Sequence, residues 1–375
     1  MGLKAAVSLL VMTLVSLNCA AQDWLSLWKS YTAAFMDNQI RVIDHDAGDR
    51  TTSEGQAYAM FFALVANDRS RFDGLLRWTE VNLASGDLTS HLPSWSWGKG
   101  PNNKWGIIDS NSASDADVWI AYSLLEAGSA WKEPHYTWLG TALAKRIAAQ
   151  EVTQIPGFGT VLLSGANGFH NGDTYRLNPS YVPLQLFLGL GRELPDGPWR
   201  QIAQQIPAVV QGSSPNGFAS DWVEFKSGKG LTPASPGSYD AIRVYLWAGM
   251  LDSGTAERDS ILKALSGMAR YLHTNAVPPA KVKPDGGVED PKSPVGFSAA
   301  LAPYLSALGE KNLENEQMSR VQAEINSKNG LYGNPARYYD QNLLLFGLGW
   351  KSRQFWFDSQ GHLITTWQGT PKLSK

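Results

Sequence analysis

The feature that most constrains the fold is the recurrence of apolar residues at intervals of three and four along ten stretches of the chain. This spacing places apolar side chains on one face of an α-helix. The ten stretches are residues 53–67, 73–83, 114–131, 136–149, 199–210, 238–251, 257–273, 296–308, 313–325 and 335–348. Alternating β-type stretches are confined to residues 161–164 and 354–366, and the segments 91–112, 157–181 and 226–237 are rich in Gly, Pro, Asn and Ser. The pattern predicts an all-α protein whose helical hairpins surround an axis, or, as the alternative, form an irregular array.

The first 21 residues have the character of a secretory signal peptide. Lys4 supplies the positive start, residues 5–17 form a short apolar core, and Cys19-Ala20-Ala21 provides small residues for cleavage. A lipid anchor on Cys19 is the disfavoured alternative, because Asn18 is larger than the residue that usually precedes a lipidated cysteine. No later segment has the roughly 20 apolar residues that a membrane-spanning helix needs. We therefore predict a periplasmic or secreted protein that has no membrane span and, in residues 22–375, no thiol.

The overall charge points to a neutral partner. With a net charge of -2 and a pI near 6.3, the chain has no excess of positive charge that would bind nucleic acid or an anionic membrane. The chain carries 15 tryptophans, whose flat faces suit the apolar faces of sugar rings. Trp97 and Trp105 lie in a loop-like segment, where stacking on sugar is a better explanation than a core position. The six histidines show no metal-binding spacing, so we predict neither a metal nor another cofactor.

Three of the predicted helices begin with acidic residues. Glu54 follows Ser53, Asp115 and Asp117 open the helix after Ala113, and Asp240 opens another. An acid in a first turn is favoured by the helix dipole and by N-capping, which alone would account for each residue. If the inner helices of the array run in one direction, however, these carboxylates meet at one end of it. The acids then either cap their helices or act on a ligand.

Taken together, these segments resemble glycoside hydrolase family 8. The run from Ala113 to Trp131 satisfies the family signature of Ala-Ser-Asp-Ala-Asp followed by an apolar helix that ends in Trp. Residues 52–60, 178–181, 239–243 and 338–340 are similar to further family segments, so the resemblance spans nearly the whole chain after residue 40. It implies an (α/α)6 barrel with long loops and a few short strands, formed by residues 22–375 as a single catalytic domain. It also implies a cleft across the helix N-termini.

The resemblance further implies hydrolysis of the β-1,4 bonds of a glucan such as cellulose, with inversion. Glu54 would be the general acid, Asp240 the general base, and Asp115 would position and distort the sugar. Residue by residue, it also implies a substrate-binding set of Trp97, Trp105, Tyr181, Arg243, Tyr338 and Tyr339. Arg243 would keep Asp240 ionised, and Tyr181 would hold the attacking water. Similarity to members encoded with bacterial cellulose synthase implies the cellulose synthase and export machinery as a partner.

Other readings stay open at this point. The same fold and mechanism serve xylan, chitosan or mixed-linkage glucan, and a non-catalytic glycan-binding protein would share the architecture. A general acid also needs a raised pKa, although a helix N-terminus favours the anion. We predict that burial and nearby carboxylates such as Asp115 outweigh the dipole and raise the pKa of Glu54.

Overall fold

The computed structural model of the protein describes residues 23–369 and is dominated by helices. The predicted signal peptide, residues 1–21, lies outside the described residues. Within them the helices are α1 (Trp24–Phe35), α2 (Ser53–Val65), α3 (Arg69–Leu83), α4 (Ser114–Ala130), α5 (Pro134–Gln150), α6 (Leu184–Glu193), α7 (Trp199–Ser213), α8 (Ala241–Gly249), α9 (Arg258–Ala264), α10 (Gly267–Leu272), α11 (Val295–Ala307), α12 (Lys311–Ala323) and α13 (Tyr338–Lys351). Each of the ten predicted stretches contains helix, and the stretch 257–273 is divided between α9 and α10. The helices α1 and α6 were not predicted.

The helices form two concentric layers. Those of the inner layer, α2, α4, α6, α8, α11 and α13, are buried on nearly all sides. In α4, for example, every residue from Ser114 to Gly128 is buried, so this helix lacks the exposed face expected of an amphipathic helix. The outer helices α3, α5 and α12 bury a single stripe each. Each inner helix follows an outer one in sequence, which makes the fold the (α/α)6 barrel expected from the resemblance.

Aromatic side chains fill the barrel axis and join inner helices that are distant in sequence. The ring centroids of Phe61 and Trp119 are 4.9 Å apart, those of Trp119 and Trp247 5.3 Å, and those of Trp247 and Phe346 5.1 Å. Phe62 closes the ring of helices by contacting Phe346 at 4.6 Å. Such pairs contribute about 0.5–1.5 kcal/mol each beyond the burial of their area. These contacts fix the inner helices relative to one another and so fix their N-termini.

One glycine permits the closest approach between inner helices. Gly249 of α8 lies against the backbone of Tyr304 in α11, and a Cβ at residue 249 would overlap the Tyr304 amide. Tyr304 is fully buried and packs edge-to-face on Tyr245, with ring centroids 5.3 Å apart. The two helices can therefore approach this closely only because residue 249 has no side chain.

The loops contain more β-structure than the sequence predicted. The described strands are β1 (Thr51–Thr52), β2 (Ser96–Lys99), β3 (Trp105–Asp109), β4 (Val152–Ile155), β5 (Gly159–Leu162), β6 (His170–Asn171), β7 (Thr174–Leu177), β8 (Val223–Lys226), β9 (Gly230–Pro233), β10 (Lys281–Val282), β11 (Val288–Asp290), β12 (Ile325–Asn326), β13 (Leu331–Tyr332), β14 (Phe355–Phe357) and β15 (Leu363–Thr365). All of their pairings are antiparallel, and the two larger sheets have the orders β1-β2-β3 and β6-β7-β8-β9. The predicted strands at 161–164 and 354–366 correspond to β5 and to the β14–β15 hairpin. Both larger sheets pack beside the helix N-termini that carry the acidic residues.

Within residues 23–369, none of the helices combines the length and the apolar character that crossing a bilayer would require.

Candidate active site

The site begins where the first turns of α2, α4 and α8 meet. Glu54 is the second residue of α2, but it does not cap that helix. The side chain of Thr52 does so, by accepting a hydrogen bond of 3.1 Å from the amide of Gly55. Ser53, which precedes Glu54, is the first residue of the helix. Since Thr52 fills the capping role, the carboxylate of Glu54 is available for other contacts.

The helix that carries Asp240 is capped by a residue from elsewhere in the chain. One carboxylate oxygen of Asp221 accepts hydrogen bonds from the amides of Ser238 and Ala241, at 2.7 and 2.8 Å. Asp240 occupies the N-cap position of α8 but makes no side-chain capping hydrogen bond. Burial raises the pKa of Asp221 to about 6, and the nearby charge of Asp240 acts in the same direction. Neither Glu54 nor Asp240 caps its own helix, because Thr52 and Asp221 perform that role.

Arg243 brings the three predicted carboxylates together. Its side chain is 1% exposed, and its Nη1 donates to Glu54 Oε2 and, at 3.2 Å, to Asp115 Oδ2. Its Nη2 donates to Asp240 Oδ1 at 2.7 Å. The sequence had paired Arg243 with Asp240 alone, whereas the structure places one guanidinium among all three acids. The carboxylates of Glu54 and Asp240 lie against different nitrogens of that guanidinium.

Further hydrogen bonds fix this arrangement. Arg243 Nη1 donates to the hydroxyl of Tyr58 at 2.8 Å, and Nη2 donates to Ser180 Oγ at 2.9 Å. Asn178 Nδ2 donates to the second oxygen of Asp240 at 2.9 Å, and Asn178 Oδ1 accepts from Ser180 Oγ at 2.8 Å. The segment 178–181, which the sequence placed at the cleft, thus orients both Arg243 and Asp240.

Burial and the neighbouring charges together raise the pKa of Glu54. Burial raises its pKa most strongly, Arg243 opposes that rise, and the charge of Asp240 adds to it. The predicted direction is confirmed, but the assisting carboxylate is Asp240 and the main opposing group is Arg243, in place of Asp115 and the helix dipole. Burial also raises the pKa of Asp115 to about 7, against the effect of Arg243. The side chain of Glu54 is 22% exposed and that of Asp115 only 2%, so a ligand reaches Glu54 more readily.

Tyrosine and tryptophan side chains extend the site on the side of Tyr181. The guanidinium carbon of Arg243 lies 5.7 Å from the Tyr181 ring centroid, and Trp222 lies 6.2 Å from Tyr181. Trp222 is half-buried, stacks on Phe169 with ring planes 6° apart, and is covered by Arg176 at 4.5 Å. Sequence reasoning missed Trp222 and Asp221. No pattern marks either residue, because their place beside Tyr181 and Asp240 arises from the pairing of β7 with β8.

The adjacent tyrosines 338 and 339 point in different directions. Tyr338 is 5% exposed and packs edge-to-face on Phe35, at 6.1 Å between centroids. Tyr339 is half-buried, and its hydroxyl donates to the backbone oxygen of Tyr239 at 2.5 Å, next to Asp240 in sequence. Tyr239 is 45% exposed. Of the predicted pair, Tyr339 is therefore the one placed to touch a ligand, and Tyr338 supports the first turn of α2.

Trp97 and Trp105 lie together on the β2–β3 hairpin. Their rings stack with centroids 5.3 Å apart, and Arg41 lies over both at 5.1 and 5.2 Å. Trp78 of α3 packs edge-to-face on the other side of Trp97, and Trp105 remains 47% exposed. The hairpin continues from β1, directly before Glu54, because Thr51 pairs with Trp97. A role in stacking on sugar stays a prediction for both.

In the part of the chain from residue 23 to 369, no cluster of three or more His, Cys, Asp and Glu side chains is arranged to hold a metal ion.

Comparison with known proteins places the chain in a family. A family model described as glycosyl hydrolases family 8 matches residues 1–353. The endoglucanase of Salmonella typhi is 42% identical over 370 residues, which covers 97% of this chain and 97% of that relative. The endoglucanase of Xanthomonas axonopodis pv. citri (strain 306) is 42% identical over 348 residues, or 91% of this chain and 89% of the relative.

The fold agrees with that comparison. The crystal structure of endo-1,4-D-glucanase from Vibrio fischeri ES114 matches with a TM-score of 0.80 at 40% sequence identity, covering 92% of this chain and 99% of that one. A cold-adapted family 8 xylanase matches with a TM-score of 0.68 at 16% identity, and so supports the fold alone. On the strength of the family match, the identity over almost the whole length and the shared fold, this chain belongs to glycosyl hydrolase family 8.

Proposed function

We propose that the protein is an inverting endo-1,4-β-glucanase, with Glu54 as general acid and Asp240 as general base. The observation that carries the proposal is the arrangement around Arg243, where a carboxyl group of raised pKa and a second carboxylate contact different nitrogens of one guanidinium. An inverting hydrolase needs this pairing of a protonated acid with an ionised base. The relatives at 42% identity carry the name endoglucanase, which supports a β-1,4-glucan such as cellulose as the substrate.

In the proposed mechanism Glu54 gives its proton to the glycosidic oxygen as the bond breaks. Arg243 contacts Glu54 Oε2, which leaves Oε1 to carry and deliver the proton. Asp240 removes a proton from a water molecule that attacks the anomeric carbon from the opposite face. Both oxygens of Asp240 accept hydrogen bonds, from Arg243 and Asn178, and these bonds aim the carboxylate. No cofactor is needed.

Asp115 and the aromatic side chains would hold the substrate. Asp115 is too deeply buried to reach the leaving oxygen easily, but it lies beside Arg243 at the floor of the site, where it would accept a hydrogen bond from a sugar hydroxyl. Tyr181, Tyr339 and Trp222 surround this floor and offer faces for sugar rings. Trp97 and Trp105 would contribute a more distant subsite along the same glucan chain.

The test is hydrolysis of carboxymethylcellulose with anomer-resolved detection of the products. We expect the wild type to release products of inverted configuration, and Glu54→Gln and Asp240→Asn each to abolish hydrolysis while binding of cello-oligosaccharides persists. Full activity of Glu54→Gln would refute the assignment of the acid. Cleavage of xylan, chitosan or mixed-linkage glucan in preference to cellulose would show that the substrate is another glycan, and would leave the proposed mechanism unchanged. Binding without hydrolysis by the wild type would favour a glycan-binding protein.

We also propose that the protein is exported, that it loses residues 1–21, and that residues 22–375 form a single catalytic domain. The positive start, short apolar core and small residues of this segment support export. A location in the periplasm or outside the cell would place the enzyme where a cellulose synthase and its export machinery release glucan. N-terminal sequencing of the protein recovered from the periplasm tests the cleavage, and an N-terminus at Met1 would refute it.

A further inference from the structure

A second pair of carboxyl groups lies beneath the site and has no part in the proposed mechanism. Asp117, in the first turn of α4, and Glu151, at the C-terminus of α5, are both completely buried. Their side chains lie close enough for each to affect the pKa of the other. Glu151 Oε1 also accepts a hydrogen bond of 2.5 Å from Ser112 Oγ. The family signature accounts for an acidic residue at position 117, but it does not account for the buried Glu151 beside it.

Two ionised carboxylates cannot satisfy each other. If both were charged, Asp117 Oδ1, Asp117 Oδ2 and Glu151 Oε2 would be buried acceptors without a donor among the described residues. Their like charges would also repel each other strongly, because both groups are completely buried. A proton held between the two groups removes the repulsion and gives one oxygen of each group a partner, because one carboxyl group then donates to the other.

The pair is tied to both ends of the segment that presents Asp115. On one side, Ser112 donates to Glu151, and its hydroxyl oxygen accepts a hydrogen bond of 3.0 Å from the amide of Ala166. On the other side, Asp117 stands two residues after Asp115 in the same helical turn. The amide of Ser114 between them donates to the carbonyl of Ser164 at 3.3 Å. These hydrogen bonds hold residues 112–117 in place, and with them the position at which Asp115 contacts Arg243.

We propose that Asp117 and Glu151 share a proton and act as a positioning pair, which holds Asp115 against Arg243. The inference rests on the role of Asp115 in the proposed function. Loss of the shared proton would leave two like charges under α4, and their repulsion would displace its first turn. A displacement of about 1 Å at a catalytic group can cost about a hundredfold in rate.

The surroundings of the pair are consistent with a retained proton. Burial and the mutual interaction raise the pKa of Asp117 well above its usual range, and burial raises that of Glu151 to about 8. The one further charge that acts on either group is that of Asp115, which raises both pKa values. Ser112 and the segment 164–166 contribute only hydroxyl and amide groups. Because the folded-state pKa values lie above the unfolded ones, the pair's contribution to stability is complete below about pH 4 and is lost as the pH rises to about 8.

The first experiment tests the proton. The double variant Asp117→Asn/Glu151→Gln keeps the shape and replaces the shared proton with amide hydrogens. Between pH 5 and pH 8, we expect the unfolding equilibrium constant of the wild type to rise, relative to that of the double variant, by up to tenfold per pH unit for each proton released on unfolding. The control is Asp259→Asn, whose carboxylate is 95% exposed and whose pH dependence should follow that of the wild type. Parallel pH dependence of the wild type and the double variant would overturn the shared proton.

The second experiment tests the positioning role through a double-mutant cycle on kcat. Asp117→Ala should lower kcat at least tenfold with less than a threefold change in KM, because the outer subsites are intact. Asp115→Asn/Asp117→Ala should be no slower than Asp115→Asn, because Asp117 acts through Asp115. Additive losses would overturn the role. If Asp117→Ala fails to fold, Glu151→Ala takes its place in the cycle.

The two experiments separate this inference from the proposed function. A wild type that cleaves no glucan, or an Asp115→Asn variant with full activity, refutes the proposed function and with it the positioning role. The comparison of stabilities needs no substrate. It therefore tests whether Asp117 and Glu151 share a proton even if the proposed function is refuted.

Discussion

Replacing Arg243 with methionine tests the electrostatics of the site most directly. The guanidinium is 1% exposed and donates to the carboxylates of Glu54, Asp115 and Asp240. Methionine fills a similar volume but removes the only cation in contact with these three groups among the described residues. Removing one partner of a buried ion pair costs about 3–5 kcal/mol, because the remaining charge stays buried without compensation. We expect a loss of this size at pH 8, where the carboxyl groups must ionise.

The loss of stability should be smaller at low pH. The direction of this change follows from the pKa values of Glu54 and Asp115. Arg243 lowers the pKa values of Glu54 and Asp115, which burial raises, so its removal raises them further. A carboxyl group whose pKa is raised by folding destabilises the protein progressively as the pH rises toward that pKa. Below about pH 4 these groups are largely protonated in both states, and the loss is reduced to that of hydrogen bonds, at about 1 kcal/mol each. The difference in stability between wild type and variant must therefore grow from pH 4 to pH 8.

Urea unfolding at pH 4, 6 and 8 measures this difference, and hydrolysis of carboxymethylcellulose over the same range gives the kinetic counterpart. Arg200→Met, on the exposed outer face of α7, is the matched control and should cost less than about 0.5 kcal/mol at every pH. Arg243→Lys keeps one positive charge and should recover part of the stability but little of the activity, since an ammonium cannot contact the three carboxylates in the same geometry. A pH-independent loss of stability in Arg243→Met would show that packing, and not charge, is the role of Arg243.

Three further predictions concern other parts of the molecule. Gly249→Ala should lower the free energy of unfolding by about 1–3 kcal/mol in a urea titration, because the new Cβ overlaps the Tyr304 backbone. Trp222→Ala should raise KM for cello-oligosaccharides about tenfold, or ~1.4 kcal/mol, with kcat nearly unchanged; an unaltered KM would exclude Trp222 from the binding surface. Contact with Glu126 raises the pKa of His362, so this pair stabilises the fold at low pH and less as the pH rises; His362→Gln should cost under about 1 kcal/mol at pH 6 and nothing at pH 9 by thermal unfolding.

Helical periodicity predicted most of the inner and outer helices, and the omissions have separate causes. Residues 24–35 do carry the pattern, with Trp24, Leu27, Trp28 and Tyr31 all buried, but the adjacent signal-like segment obscured it. In α6, Gly189 and Gly191 lower the helix propensity, and tertiary packing overrides it. The helix 257–273 is interrupted between residues 264 and 267, which periodicity alone cannot register. The hairpins in the loops depend on partners from other segments, as in the pairing of β7 with β8.

The site could be predicted only in part, because its contacts are long-range. Glu54 and Arg243 are 189 residues apart, and nothing in either local segment says that they touch. The resemblance to family segments placed both residues in one cleft, but it paired Arg243 with Asp240 and not with Glu54. It did not supply the capping of α8 by Asp221, the position of Trp222 beside Tyr181, or the burial of Glu151 against Asp117. Each of these depends on where a loop folds back onto the barrel, which local propensity does not specify.

The charge balance at the centre explains how an acid can remain protonated beside an arginine. With Glu54, Asp115 and Asp240 ionised, the single charge of Arg243 would leave a net charge of -2 in a largely buried site. Burial makes that state costly and raises the pKa values of Glu54 and Asp115, even though Arg243 lowers both. The most exposed of the carboxyl groups with a raised pKa, Glu54, is the one that can deliver the proton to a substrate. One buried guanidinium therefore holds the site together but does not carry enough charge to balance three ionised carboxyl groups.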